Sequence, residues 1–518
     1  MTKQLDIILA IVPRIMDDFG YTPAGAALLK GNLEKNGFSS KIIDFNAEID
    51  KKYNQGNSSS IINRINNYFL FNNFYHYDTW LIISDLIDSW AKEIVRCNPK
   101  WLGISVFSYN SQRAARLLSM RVKFYNSKIK IVIGGSGIAT DFTFAETLKE
   151  KKIVDHFIRG EGEISLIELL KGNANYPGID GRAPKQIVDL DNLPFPNYDD
   201  YELKTYTNKK GLEALPITGS RGCVRKCTFC DVQHSWPNYY YRSGESIAQE
   251  IIHQCERHGV NAFRFTDSLI NGSMKAFRDM CVKLSQYRMA LPKEKRFIWD
   301  THFIVRSEKQ MPPSDFDLMR DAGAGTMLIG VESGSEAVRN HMKKGFTQAD
   351  LDYTMAQFQR CGIKCRFLMI VGYPTETLED FNTTLKMFED YKIYLNSDTI
   401  EEVNLGLTLN LLPTTPLYKD REQYNIIQQK NHINEWICRD NPTLNYRERI
   451  RRRIILQSHL ENLGYKIFEA KNYAKQLLTA WIEMNNLNID YQVIDNWKYD
   501  REKGGLVDNT NYDIYRKY

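Results

Sequence analysis

The chain is short of the features that would send it into a membrane or out of the cell. The apolar stretch Ile7 to Val12 falls far below the ~20 residues of a spanning helix. It also lacks the basic flank and small-residue cleavage site of a secretion signal, so it reads as a buried strand. The expectation is a cytoplasmic protein with no membrane partner. Cysteine is sparse and unevenly spaced, nine in 518 residues, which excludes a disulfide framework. Charge of either sign is in little excess: 68 Lys and Arg against 63 Asp and Glu leave +5, and nothing global argues for a nucleic-acid partner. The basic run from Arg447 to Arg453 reads as a solvated helix face, with a phosphate contact as its alternative. A hydrophobic share of 43% is ordinary for a globular enzyme, and the length accommodates about three domains.

Against that background, three of the nine cysteines stand together. Cys223, Cys227 and Cys230 lie in the run Gly222-Cys-Val-Arg-Lys-Cys-Thr-Phe-Cys-Asp231, in one loop after an apolar strand. Three thiolates hold three irons of a cubane cluster and leave the fourth iron open to another ligand. An open metal position marks a working site rather than a structural one. The alternative is a structural zinc knuckle completed by another Cys or by His234. Such sites pair C-x-x-C with a second C-x-x-C or H-x-x-x-H, and the sequence offers no such pair. Cys361 and Cys365, the only other close pair, fall on opposite sides of a predicted helix–strand turn.

The first 190 residues alternate short apolar runs with helical stretches, the pattern of a doubly wound parallel α/β sheet. Strands are predicted at Leu5–Val12, Ser40–Asp44, Trp101–Phe107, Ile129–Ile133 and Ile153–Ile158. A helix is predicted from Ala24 to Asn36, stopped at Gly37. The aromatic, Asn-rich piece Asn66 to Tyr77 reads as a helical insertion packed on the next domain rather than a base-stacking surface. Residues 191–213, with Pro194 and Pro196, form an extended, helix-free linker. Six strand–helix units follow in 214–420, with strands at Leu215–Gly219, Ala262–Asp267, Arg296–His302, Thr326–Val331, Lys364–Val371 and Glu402–Leu409. They make an open, partial six-stranded β/α barrel whose reactive groups gather at the carboxyl ends of the strands. The clearest helix begins after Ser243 as N-cap, carries Ile247, Ile251 and Cys255 on one face, and stops at Gly259. Residues 421–518 show helical periodicity and no readable motif, a mainly helical C-terminal region.

Several groups at those strand ends carry candidate chemistry. Asp267, next to Ser268, presents a carboxylate that either accepts a hydrogen bond from an ammonium or caps the next helix. Glu332 opens Glu-Ser-Gly-Ser335; it could accept two ribose hydroxyls, while Ser333 and Gly334 permit close backbone approach. Ser335 doubles as a helix N-cap. Gly372, in Gly-Tyr-Pro-Thr-Glu-Thr377, leaves room for a flat adenine, and Pro374 with Thr375 sets a tight turn. His302 and Arg306 follow the third strand and could reach a ligand; for Arg306 a structural ion pair is the alternative.

The cysteine spacing, with Phe229 before the last Cys, resembles the cluster loop of the radical S-adenosylmethionine (SAM) superfamily. With the runs at 332–335 and 372–377 it looks like the class of that superfamily that carries an N-terminal cobalamin-binding domain. The resemblance covers roughly residues 1–420. In the first domain its marks are Pro23-Ala-Gly25, Gly103-Ile-Ser105, Gly134-Gly-Ser-Gly137 and Arg159-Gly-Glu-Gly-Glu163. It implies a [4Fe-4S] cluster on the three cysteines, with SAM chelated at the free iron and split by one electron into a 5′-deoxyadenosyl radical. It implies Phe229, Asp267, Glu332, Ser333 and Gly372 near SAM. It also implies cobalamin over the carboxyl edge of the first sheet, with Ser105, Gly134 and Gly135 near its nucleotide tail. One departure stands out: no His precedes His76, and Pro13 to Gly20 replaces the Asp-x-His-x-x-Gly loop that ligates cobalt in many such domains. Members without that His still bind cobalamin.

The activity so implied is methylation of an unactivated carbon of a small molecule or peptide, with a flavodoxin or ferredoxin as electron donor. The alternatives are a radical SAM enzyme of ring closure, rearrangement or oxidation, and a zinc-stabilised binding protein.

Overall fold

The computed structural model describes residues 4–13, 22–53, 59–70, 77–139, 142–206, 213–428, 433, 435–468, 497–500 and 505–508. Packing divides the chain into two compact units, Met1–Gly219 with Tyr240–Thr266, and Ser220–Tyr239 with Asp267–Tyr518.

The first unit is built on five parallel strands: β1 (Ile7–Ile11), β2 (Ser40–Asp44), β3 (Trp101–Ser105), β4 (Lys130–Gly134) and β5 (His156–Ile158), in the order β2-β1-β3-β4-β5. All five residues of β1 are buried, as a central parallel strand covered on both faces requires. Strand order reverses between β1 and β3, and in open α/β sheets ligands bind outside the carboxyl ends of the strands at that point. Residues 14–20, the loop after β1 singled out in the sequence, lie outside the described residues. Helices cover the sheet, and Phe45 stacks on Trp90 at 4.8 Å in the core. Tyr68 and Phe69 join this same core. The described part of the aromatic insertion thus packs within the first unit, where the sequence suggested the next domain; residues 71–76 lie outside the described set.

The linker is held tightly within this unit. A Cβ on Gly31 would fall 2.3 Å from the Phe195 carbonyl, so only glycine admits the linker against helix Ala24–Lys35. Asn197 N–H donates to the Ala27 carbonyl at 3.0 Å, and Lys30 pairs with Asp200 at 2.5 Å. Apart from a 3-10 turn at Leu203–Thr205 the described linker is helix-free, and residues 207–212 lie outside the described set.

Beyond the linker come β6 (Ala214–Ile217), the two-residue strands β7 (Ser220–Arg221) and β8 (Tyr240–Tyr241), then β9 (Ala262–Phe265), β10 (Ile298–Phe303), β11 (Ala324–Glu332), β12 (Lys364–Met369) and β13 (Ile400–Asn404). A hairpin, β14 (Ile426–Gln428) with β15 (Trp436–Cys438), precedes β16 (Ile467–Phe468); a second hairpin joins β17 (Trp497–Asp500) and β18 (Gly505–Asp508). The larger sheet runs β16-β13-β12-β11-β10-β9-β6. It contains the six strands expected from sequence and a seventh, β16, parallel to β13. Two residues are too few to show a period, which is why β16 escapes the sequence. Strand β13 stops at Asn404, short of the expected Leu409, because Gly406 turns the chain with φ +57. The helix after Ser243 spans Gly244–His258, capped by the Ser243 hydroxyl and closed by Gly259 at φ +68, as read.

Among the described residues, the C-terminal region holds one long helix, Tyr446–Leu463, beside the two short hairpins. Its basic run is not a solvated face. Arg447 and Arg451 are exposed, but Arg449, Arg452 and Arg453 point inward and are buried. Arg449 donates to the Trp436 and Leu444 carbonyls and lies 3.8 Å from the Trp436 ring centre. Arg453 donates to the Gly406 carbonyl at 2.8 Å.

Candidate active site

The three cysteines lie within the second unit on a loop fixed by short-range geometry. Gly222 opens it at φ +89, where a Cβ would sit 2.4 Å from the Asn238 carbonyl, so glycine is required for the turn. Thr228 holds the middle of the loop: its N–H donates to the Met342 carbonyl at 3.2 Å, and its hydroxyl meets the Tyr373 hydroxyl at 2.9 Å. The Leu417 N–H donates to the Thr228 carbonyl at 2.7 Å. The loop is therefore clamped by segments that follow β11 and β12 and by the residues before the C-terminal hairpins.

All three thiols are half-buried. Burial pushes the Cys227 thiol up to about 11 and raises Cys223 and Cys230 as well, while Lys344 pulls all three the other way. Backbone N–H groups of Arg225 and Val232 donate to the sulfurs of Cys223 and Cys230. Protons on such thiols leave when a metal takes their place, since the thiolate is the ligand. A zinc knuckle draws its ligands onto one point, whereas a cubane offers each thiolate its own iron corner. The donor set fits the cluster.

Asp267, just past β9, is buried; Ser220 donates to its carboxylate at 2.5 Å, and its backbone carbonyl meets His302 Nδ1 at 3.1 Å. The capping alternative fails, because Ser273 caps the following helix, Met274–Ala290. Arg306 donates to the Asn271 and Gly272 carbonyls, a structural role made through carbonyls rather than the ion pair considered from sequence.

Glu332 ends β11 at a register shift, with φ +67 that side-chain-bearing residues seldom adopt. Its buried carboxylate pairs with Lys344 at 3.0 Å. Sequence reading missed Lys344; the signal was a lysine twelve residues past a strand-end glutamate, which becomes legible only once the turn between them is known. Ser333 and Gly334 serve the protein itself. The Ser333 hydroxyl accepts from the Ser335 N–H at 3.1 Å, and a Cβ on Gly334 would lie 2.6 Å from Thr384 Cα, so the close approach there is to helix Leu378–Asp390. Ser335 is the N-cap of Glu336–His341, as expected.

Gly372 is likewise engaged by the protein itself. Its φ is +81, and the space a Cβ would take is occupied by Arg449, with Cγ and Cδ each 2.4 Å away. The missing side chain makes room for that arginine. Gly372→Ala combines a strained backbone with overpacking and is expected to cost about 2–4 kcal/mol, read as a lower urea midpoint.

In the first unit, Ser105 and Gly134 end adjacent strands, β3 and β4. Gly135 at φ +119 and Gly137 lie against the loop after β3: Cβ atoms there would fall 2.6 Å from the Val106 carbonyl and 2.5 Å from that of Ser108. This packing leaves Phe107 and Tyr109 exposed just past the carboxyl end of β3. The run Arg159 to Glu163 is taken up internally: Arg159 lies over Phe142 at 4.0 Å, and Glu161 accepts from the Ile187 N–H at 2.5 Å. No described helix is long and apolar enough to cross a membrane.

Comparison with known proteins agrees with this architecture. Residues 217–388 match the family described as the Radical SAM superfamily. An uncharacterized methyltransferase of Pyrococcus horikoshii is 24% identical over 57% of this chain and 65% of its own length. An anaerobic magnesium-protoporphyrin IX monomethyl ester cyclase of Synechocystis is 26% identical over 42% of this chain and 44% of its own. The chain thus spans less than two thirds of either relative. Two solved proteins share the fold. The radical SAM methyltransferase TsrM of Kitasatospora setae, with cobalamin and a [4Fe-4S] cluster, has a TM-score of 0.60 at 16% identity, over 83% of this chain and 78% of its own. The cobalamin-dependent radical SAM enzyme OxsB, with aqua-cobalamin and SAM, has 0.61 at 16%, over 93% and 71%. Residues 217–388 are thus similar to the radical SAM family, and the chain shares its fold with these two solved proteins.

Proposed function

We propose that this chain is a cobalamin-dependent radical SAM methyltransferase acting on an unactivated carbon of a small molecule. The observation that carries the reading is the clamped, half-buried trio Cys223, Cys227 and Cys230 at the mouth of a parallel sheet, in a chain with a doubly wound sheet before it. When bound, cluster, SAM and cobalamin supply one-electron cleavage and methyl transfer, the chemistry that protein side chains lack. The protein's part is to bind, orient and exclude water. The three cysteines would hold the cluster, and the N–H groups at two of the sulfurs favour the thiolate against the effect of burial. Phe229 and Asp267 border the SAM site, with the carboxylate of Asp267 pre-oriented by Ser220 to accept from the methionine ammonium. Glu332 accepts from the ribose. Ser333 and Gly372 act one step back, by holding the backbone that presents these groups. In the first unit Ser105, Gly134 and Gly135 form the bed for the corrinoid tail, and exposed Phe107 and Tyr109 offer apolar surface at the switch point. Reduction needs an external one-electron donor of flavodoxin or ferredoxin type, and the reducing cytoplasm suits the cluster.

A second reading, radical ring closure without methyl transfer, is favoured by the cyclase among the relatives. One experiment separates the two. Protein reconstituted without oxygen, loaded with hydroxocobalamin and desalted, is reduced and given SAM with a deuterated methyl group. Methyl transfer predicts corrinoid that stays with the protein and carries the label by mass spectrometry. Deoxyadenosine with no bound or labelled corrinoid would favour the cyclase type.

A further inference from the structure

The Glu332–Lys344 pair is maintained at more cost than a stabilising contact would justify. Both side chains are nearly buried, a setting in which desolvation largely offsets attraction. Glu332 adopts a left-handed backbone to reach it. Gly330 is left bare for it, since a Cβ there would lie 2.4 Å from Glu332 Oε1 and 2.8 Å from Lys344 Nζ. The ammonium also sits 5.8 Å from the centre of the Phe229 ring, in the turn between Cys227 and Cys230. Lys344 is the cation whose charge acts on all three cysteines, and the Glu332 charge opposes it at Cys227.

Resting on the cluster reading above, we infer that Lys344 is a positioning residue that sets the electron affinity of the centre held by the three cysteines, with Glu332 as its counterweight. Reduction adds one electron, taken from an external donor, and makes the site one unit more negative with no bond broken. A nearby buried cation favours that state, and a nearby carboxylate opposes it. The two halves of the pair therefore push the potential in opposite directions.

The test is an anaerobic potentiometric titration of reconstituted protein without SAM, followed by electron paramagnetic resonance. Lys344→Met is expected to disfavour reduction by about tenfold, a shift of 59 mV to lower potential for one electron. Glu332→Gln is expected to move the potential the other way, and Lys344→Arg to stay near the wild type. A purely structural pair would give cluster loss or shifts of one sign in both variants. Unchanged potentials, or shifts of the same sign, overturn the inference. Should Lys344→Met retain no iron, the isosteric Glu332→Gln decides alone: the absence of a rise overturns it. A wild type that holds no cluster would instead remove the functional reading itself.

Discussion

Serine in place of Cys223, Cys227 or Cys230 is expected to abolish SAM cleavage while the fold survives. Loss of a group that merely orients a metal ligand costs about 10–100-fold in metal affinity or activity, and loss of a ligand itself exceeds that. Reconstituted variants should lose most of the iron and the broad visible absorbance of the cluster, with deoxyadenosine down by more than about a hundredfold. The fold should persist because the loop is held by groups other than sulfur: Thr228 on Met342 and Tyr373, Leu417 on Thr228, and Gly222 against Asn238. Serine at Cys255 or Cys97, both remote from this loop in sequence and part-exposed, should leave iron content at the wild-type level. Unaltered iron in the loop variants would refute the ligand assignment.

The second large effect lies away from the cysteines. Glu376 is buried, accepts from the Gly372 N–H at 3.2 Å and from Arg452 at 2.9 Å, and burial pushes its carboxyl up to about 7 against the pull of Arg452. Arg452 further ties this turn to the C-terminal helix through the Glu376 and Thr377 carbonyls. Removing one partner of a buried pair costs about 3–5 kcal/mol, because a charge is left uncompensated. Arg452→Met should therefore lower the urea midpoint sharply. The pH dependence has a definite sign. A carboxyl raised on folding binds more protons folded than unfolded, so its contribution is present below the ordinary value of 4.5 and fades as pH rises through about 7. Without Arg452 the carboxyl rises further, and the variant's deficit should widen from pH 5 to pH 8. A deficit that narrows over that range would show that Glu376 is ionised and served by other groups.

The two cases also mark what the sequence could and could not reveal. Strand cores were legible because parallel strands buried on both faces leave continuous apolar runs, as in Ile7–Ile11 and Ile131–Ile133. Caps were legible because Ser243 and Ser335 act within three residues of themselves. The cysteines were legible because their ligand function is written in local spacing. What failed was long-range. Gly372 signalled an absent side chain, and only the fold shows that Arg449, 77 residues on, fills the space. Arg449, Arg452 and Arg453 read as a surface run, since nothing in a string of charges says that three of them point inward onto carbonyls and Glu376. Lys344 belongs with Glu332 only through the turn after β11.

The central claim is that three thiolates grip a cluster with one iron left open for SAM. It is tested most directly on wild-type protein, reconstituted without oxygen, reduced with dithionite and examined by electron paramagnetic resonance before and after SAM is added. Expected are roughly four irons per chain, a reduced-cluster signal whose g-values change when SAM binds, and deoxyadenosine in the quenched mixture. A protein that holds zinc in place of iron, or a cluster signal indifferent to SAM with no deoxyadenosine formed, would contradict it.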